Sequence, residues 1–396
     1  MRGYYFDNAA TMQVSPILRN VLNKYYFNEF GNPSSSHKAG QIADDAIMLA
    51  RQRVAEFINA EPSEIIFTSG GSESNNLAIK GYTVKHKCSI ITTEVEHKSV
   101  LKACDFLDEN MYMICDYLGV DKDGEISLNM LDMECRSTVD IYKKTPFVSI
   151  QMANNETGTI QDIEKISEII HKYNGILHVD AVQAFGTLPI DVKKMGIDMM
   201  SASGHKIGTP KGIGFLYKKR GIQIEPLIHG GGQEMLMRSG TENVAGIVAL
   251  GEMVNYFNSI EDYFYRKKLI LMMARNFIES MLLEIPDSRI NGAYGTRRLP
   301  GHINVSFKGI EGEALMLLLN NDGIYVSNGS ACNSGLQETS YVLRAMRVPD
   351  DYINGTIRIT ISYDQVKELD SCEELMLVVM KIKHHVEKLR EAVKIE

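Results

Sequence analysis

The sequence predicts an α/β protein: a large unit built on a mainly parallel central sheet, with a smaller α+β unit beside it. Three observations predict it. Short apolar runs alternate with amphipathic segments through residue 255. The first four runs each end in polar or small residues, as strands do when their carboxyl ends floor a ligand site. From about residue 256 the alternation gives way to longer helical patterns enclosing a few strands. The expected division is therefore 14–255 for the large unit, with 1–13 joining 256–396 in the small one.

In chain order, strands are expected at EIIFTS (64–69), SIITT (89–93), FVSIQM (147–152), ILHVD (176–180), DMMSAS (198–203) and GIGFLYKK (212–219). Between the third and fourth, IEKISEIIHKY (163–173) sets Ile163, Ile166, Ile169 and Ile170 on one helical stripe. In the small unit, strands HINVSF (302–307) and TIRITIS (356–362) flank the helix GEALMLLLNN (312–321). The chain closes on a helix with Leu375, Val378, Val379, Ile382 and Val386 at helical spacing. His384 and His385 on that helix read as solvent-side residues.

Bulk composition narrows the function classes. With 44% apolar and 23% charged residues the chain reads as a soluble globular protein, expected in the cytoplasm. A formal charge of -8 argues against a nucleic-acid partner or an anionic membrane surface. No apolar run is long enough to span a bilayer, and MRGYYFDNAAT lacks a signal-like hydrophobic segment. The six cysteines (88, 104, 115, 135, 332 and 372) form no CxxC pair and no cluster with histidine, so neither a metal site nor a disulfide framework is expected.

The residues after the strands carry the chemistry. SGGSESNNLAIKG (69–81) follows a strand and opens a helix, so Gly71 and Ser72 lie where backbone N–H groups and the helix dipole suit a single phosphate. The segment reads equally well as a tight turn with Ser72 capping the helix. It holds no GK[ST] and no GxGxxG. Asp180, ending an apolar strand, suits a carboxylate bonded to a pyridinium nitrogen, or simply a helix cap. His97 offers a flat ring for stacking and proton transfer, or a structural hydrogen bond. Lys206, framed by small residues in SASGHKIGTPKG (201–212), suits a Schiff base with an aldehyde, with Ser203 and His205 as phosphate donors and Lys211 as a surface lysine. Cys332 lies among glycine and serine in SNGSACNSG (327–335), a composition for an accessible loop. Arg358 offers a two-pronged grip on a carboxylate, or a surface ion pair.

These segments together resemble the cysteine desulfurases of the NifS/IscS group, class V, fold-type I pyridoxal phosphate enzymes. The motifs that carry the likeness run from YFDNAAT (5–11) and GNPSSSHKAG (31–40) through FTSGGSESNNLAIKG (67–81), EHKSV (96–100), ANNETGTIQ (153–161) and HVDAVQ (178–183), to MRSGTENVAGIVAL (237–250) and GSACNSG (329–335). The resemblance implies pyridoxal 5'-phosphate held by Lys206, with Asp180 on its ring nitrogen, His97 stacked on the ring, and Gln183 and Asn155 on the phenolic oxygen. It assigns the phosphate to Gly71, Ser72, Ser203 and His205, with Thr241 lent by the second subunit of a homodimer. It gives the substrate carboxylate to Asn32 and Arg358, and makes Cys332 the nucleophile that takes sulfur from L-cysteine as a persulfide. Alanine is then the other product, and a sulfur-acceptor protein such as an iron–sulfur scaffold the onward partner. The alternative is another class V enzyme, an aminotransferase or a selenocysteine lyase. Three places depart from the family pattern: Ser327-Asn328 before the cysteine motif, Thr209 before PKG, and ITISYDQ after Arg358. The last borders the expected carboxylate grip.

Overall fold

The computed structural model describes residues 3–328, 339–368 and 372–393. Its centre is a seven-stranded sheet made from β2 (Ile65–Thr68), β3 (Ser89–Thr93), β4 (Cys115–Leu118), β5 (Pro146–Gln151), β6 (Ile176–Asp180), β7 (Met199–Ser203) and β8 (Gly214–Lys218), in the order β2-β8-β7-β6-β5-β3-β4. Only β8 runs against the rest. The reason is its connection: residues 204–213 are too few for the crossover a parallel neighbour requires, so the chain turns straight back.

Side-chain alternation gives the sheet a core on each face. Val148, Ile150, Val179, Met200 and Phe215 face one apolar cluster, where helices Lys38–Phe57 and Val244–Asn258 pack together. Phe147, Met199 and Leu216, one residue out of phase, face the other, beneath helices Gly71–His86 and Lys98–Met111. Burial on both sides explains why these strands lack the polar alternation of a solvated sheet.

A separate apolar cluster surrounds the antiparallel trio β9 (Ser288–Ile290), β10 (His302–Phe307) and β12 (Thr356–Thr360), in the order β12-β10-β9. Helices Tyr263–Leu282, Gly312–Asn321 and Cys372–Val393 complete it. Phe6 from the N-terminal arm enters this cluster, and β1 (Tyr4–Tyr5) pairs in parallel with β11 (Ile324–Tyr325). Helix Val244–Asn258 runs through residue 256, and the turn after it falls at 259–262. We propose that turn as the division between the two units. Val342, Leu343, Met346, Val348 and Ile353 nevertheless pack into the larger core.

One surface expectation is corrected. His384 is exposed, but His385 is 8% exposed and its Nε2 lies 2.7 Å from Asp322 Oδ2, because its helical position turns it inward beside Val386. Among the described residues no helix is long and apolar enough to cross a membrane.

Candidate active site

Because β2, β3, β5, β6 and β7 share one direction, their carboxyl ends meet at one edge of the sheet. A cleft of about 280 Å3 opens there. Gly71 and Ser72 reach it from β2, His97 from β3, Asn155 from β5, and Asp180 with Gln183 from β6. Ser203, His205 and Lys206 reach it from β7, and Arg358 crosses from β12. Asn32 and Thr241 are exposed and do not line the cleft of this single chain. Cys332 lies outside the described residues.

Asp180 is 5% exposed at the last position of β6. Its Oδ1 accepts from Val182 N at 2.9 Å and its Oδ2 from Asn75 Nδ2 at 2.7 Å. No helix starts there, so the carboxylate is not capping one. Asn75 Nδ2 also donates to Ser99 Oγ at 2.8 Å, and Ser99 Oγ lies 2.8 Å from His97 Nδ1. The backbone N–H of Ser99 donates to the same Nδ1 at 3.1 Å. A backbone N–H can only donate, so Nδ1 is an acceptor and the neutral ring carries its proton on Nε2. Burial lowers the His97 pKa, and the Lys206 and Lys98 charges add to that against the pull of Asp180. His97 is thus both the cap of helix Lys98–Met111 and a neutral ring facing the cleft.

Lys206 closes the short helical turn Gly204–Lys206 directly after β7. Its Nζ donates to the carbonyls of Ala9 (2.6 Å) and Ala10 (2.7 Å). Gln183 Nε2 donates to the same Ala9 carbonyl at 3.0 Å. The N-terminal arm is held in turn by Asn8 Nδ2 to Thr360 O (2.7 Å) and by Ala9 N to Thr360 Oγ1 (2.9 Å). A strand of the small sheet therefore sets where the lysine amine rests.

The opposite end of the cleft suits an anion. Gly70 caps helix Gly71–His86 at φ 152°, ψ −176°, a conformation open essentially to glycine alone. A Cβ on Gly71 would come within 2.5 Å of Val182 Cγ2. Both glycines thus let the helix start close against the turn after β6. Ser72 is not the cap; it sits in the first turn with its N–H among the unpaired helix donors. His205, whose Nδ1 lies 3.2 Å from Thr11 Oγ1, is lowered to about 4 by burial and by Lys206 and Lys211, so it stays neutral at ordinary pH.

Arg358 is 4% exposed. Its Nη2 donates to Asp7 Oδ1 at 2.7 Å and its Nη1 to Asn155 O at 2.9 Å. The sequence reading missed Asp7, Asn75, Ser99 and the carbonyls of Ala9 and Ala10. Asn75 lies in the quoted phosphate-loop segment, where its place one helical turn from Gly71 was the available signal. A backbone carbonyl leaves no signal of its own.

The residues present fit pyridoxal phosphate. Asn155 Oδ1 and Arg358 Nε are buried with no hydrogen-bond partner, polar atoms that a polar guest in the cleft would satisfy. Carboxylate, planar imidazole, amine and an N–H-rich helix start stand around one space. Among the described residues no group of three or more His, Cys, Asp or Glu is placed to hold a metal ion.

Comparison with known proteins agrees. The model of the family Aminotransferase class-V matches residues 4–370. A relative from Methanosarcina thermophila, the cysteine desulfurase IscS, is 42% identical over 393 residues, covering 98% of this chain and 93% of its own length. A cysteine desulfurase from Nostoc is 42% identical over 376 residues, covering 94% of this chain and 91% of its own. Among solved structures, a NifS-like protein superposes with a TM-score of 0.87 at 35% identity, over 98% of this chain and 100% of that one. SspA, solved in complex with cysteine, gives 0.78 at 35% identity over 91% of this chain and 99% of its own. Matched by the family model over residues 4–370 and 42% identical to cysteine desulfurases over nearly its whole length, the chain belongs to the class-V aminotransferase family and, within it, to the cysteine desulfurases.

Proposed function

We propose that this chain removes sulfur from L-cysteine with the help of pyridoxal 5'-phosphate, releasing L-alanine and leaving a persulfide on Cys332. The observation that carries the reading is the meeting of Lys206, Asp180 and His97 in one cleft, with a helix start prepared for an anion at its far end. Pyridoxal phosphate bound there supplies an electron sink for the charge released at the substrate Cα.

The chain's own residues then divide the work. Gly71, Ser72, Ser203 and His205 would hold the phosphate, and Asp180 would keep the ring nitrogen protonated, with Asn75 fixing the carboxylate. Asn155 and Gln183 meet the phenolic oxygen. His97 would stack on the ring, with its Nε2–H left free of the Ser99 contacts for proton transfer. Lys206 Nζ would hold the cofactor covalently, and its amine would be the base that takes the substrate Cα proton and returns it. The Ala9 and Ala10 carbonyls give that amine a fixed resting place. Asn32 and Arg358 hold the substrate carboxylate. The Cys332 thiolate attacks the substrate sulfur, the carbon–sulfur bond breaks, and the carbon side leaves as alanine after protonation. Thr241, exposed on this chain, completes the phosphate site of a second copy in a homodimer. The persulfide passes to an acceptor protein, of which an iron–sulfur scaffold is one class, in the cytoplasm.

The test is incubation of the purified holoprotein with L-cysteine, measuring alanine and sulfide together in the presence of a reductant. Equal amounts of both are expected, with Cys332→Ala losing both while keeping cofactor absorbance, and Lys206→Ala losing covalent attachment. Consumption of a keto acid, or turnover persisting in Cys332→Ala, would overturn the reading in favour of another class V chemistry.

A further inference from the structure

Arg358 enters the cleft from β12, yet it does not arrive as a lone cation. One N–H of Nη2 is given to Asp7 Oδ1 at 2.7 Å and one of Nη1 to Asn155 O at 2.9 Å, while Nε is buried without a partner. The side chains of the pair are 5% and 22% exposed. Asp7 does not line the cleft; it stands behind the guanidinium on the N-terminal arm, bridged by its backbone to Thr360. Two other groups lie near the same guanidinium. Glu156 is pushed up to about 7 by burial, against the pull of Arg358, and His302 is held neutral by burial. Asp7, at 2.7 Å, is the carboxylate in direct contact with the guanidinium.

That arrangement has two opposed effects. A buried guanidinium stripped of its counter-ion is costly, and a carboxylate behind it fixes its orientation. The same carboxylate repels any second carboxylate that approaches from the cleft. We infer that Asp7 is a positioning residue that sets the strength of the substrate-carboxylate grip: its oxygen aims Arg358, and its charge keeps the grip loose enough for the amino-acid product to leave. The inference rests on the reading of Arg358 as the carboxylate-binding residue. Carboxylates on opposite edges of one guanidinium stand roughly 8 Å apart, where an effective dielectric of about 20–40 makes their repulsion worth on the order of tenfold in affinity.

The test is Asp7→Asn, which keeps an acceptor oxygen toward Nη2 and removes the charge. Titration of the holoenzyme with L-alanine, followed by cofactor absorbance, is expected to show on the order of tenfold tighter binding. The KM for L-cysteine is expected to fall by a similar factor, without a rise in kcat. Cysteine methyl ester, which has no carboxylate, is expected to show an unchanged KM, and Asp7→Glu is expected to restore loose binding. If Asp7→Asn does not yield folded holoprotein, Asp7→Ser carries the same comparison. Alanine binding that is unchanged or weaker in the neutral variant, at wild-type cofactor content, would overturn the inference. Arg358→Gln separates the two layers. If it leaves alanine binding intact, the reading of Arg358 is wrong; if it weakens binding while Asp7→Asn does not tighten it, only the role of Asp7 falls.

Discussion

Replacing Asp180 with asparagine removes a charge while nearly preserving shape, and the surroundings allow its two consequences to be separated. Asp180 is 5% exposed and accepts from Val182 N (2.9 Å) and Asn75 Nδ2 (2.7 Å). In Asp180→Asn the amide oxygen keeps the first bond, but the new NH2 faces the NH2 of Asn75. Asn75 can relieve this by turning its amide over, because its Oδ1 is buried with no partner. Ser99 Oγ then gives its one proton to the turned amide oxygen instead of to His97 Nδ1, which keeps its bond from Ser99 N. The net structural change is about one hydrogen bond, worth roughly 1 kcal/mol, and a fall of about 1–2 °C in Tm. Turnover responds differently. Losing the charge proposed to partner the ring nitrogen is expected to forfeit about 1.5–3 kcal/mol of charge-assisted bonding, or roughly 10- to 150-fold in kcat. Asp180→Ala, which leaves Val182 N buried without an acceptor, is expected to lose a comparable rate and about 1–3 kcal/mol of stability besides. Thermal melting of the holoproteins, with alanine production at saturating cysteine, measures both quantities. Wild-type turnover in Asp180→Asn, or melting as low as that of Asp180→Ala, would refute the reasoning.

Other expectations concern buried charge. Burial pushes Glu96 up to about 8, with Asp180 adding to the effect against hydrogen bonds from Gln151 N and Thr93 Oγ1. The folded state holds that proton where the unfolded chain has lost it, so stability declines as pH rises from about 4.5 toward 8; Glu96→Gln is expected to remove about 2–3 kcal/mol of the decline between pH 6 and 8, read by urea unfolding. His178, between Ser149 Oγ (2.8 Å) and Ser201 Oγ (2.9 Å), is lowered to about 3 by burial. Its sign is opposite: the unfolded chain takes up the proton first, so the protein is expected to lose stability, with proton uptake on unfolding, as pH falls from 6.5 toward 4. Arg51 donates twice to Glu234 at 2.8 Å, and Glu234, Met235 and Leu236 follow in succession at φ 46°, 57° and 68°. Arg51→Ala is expected to cost about 3–5 kcal/mol and to expose the peptide bonds at 234–236 to limited proteolysis.

The central strands were legible because burial on both faces makes them short, continuous apolar runs, and the polar residue after each run is where a site must lie. β4 escaped notice because Cys115–Leu118 is an edge strand with Asp116 and Tyr117 partly exposed, so it carries no such run. The reversal of β8 is not a property of its residues; it follows from the length of the connection before it. Lys206, Asp180 and His97 stood out as isolated functional groups in apolar or small-residue frames, and the structure brings them together. Asn32 and Thr241 came through family resemblance alone, and in the single chain neither reaches the cleft. The partners of Lys206 could not be read at all, since Ala9 and Ala10 act through their backbone. Asp7 was quoted within YFDNAAT, but nothing in that stretch indicated a partner 351 residues away.

The N-terminal arm sets an order on how the protein is made. Residues 4–11 are synthesised well before the segments they pair with: β1 must wait for β11, and Asn8 and Ala9 for Thr360. The seven-stranded sheet, complete by residue 218, has all its strands in hand far sooner. Domains fold largely as units during synthesis, and contacts between distant parts of a chain form late. The carbonyls that cradle the lysine amine are thus translated long before the strand that docks them, so a nascent chain cannot set that amine in its working position until residues 356–360 have emerged.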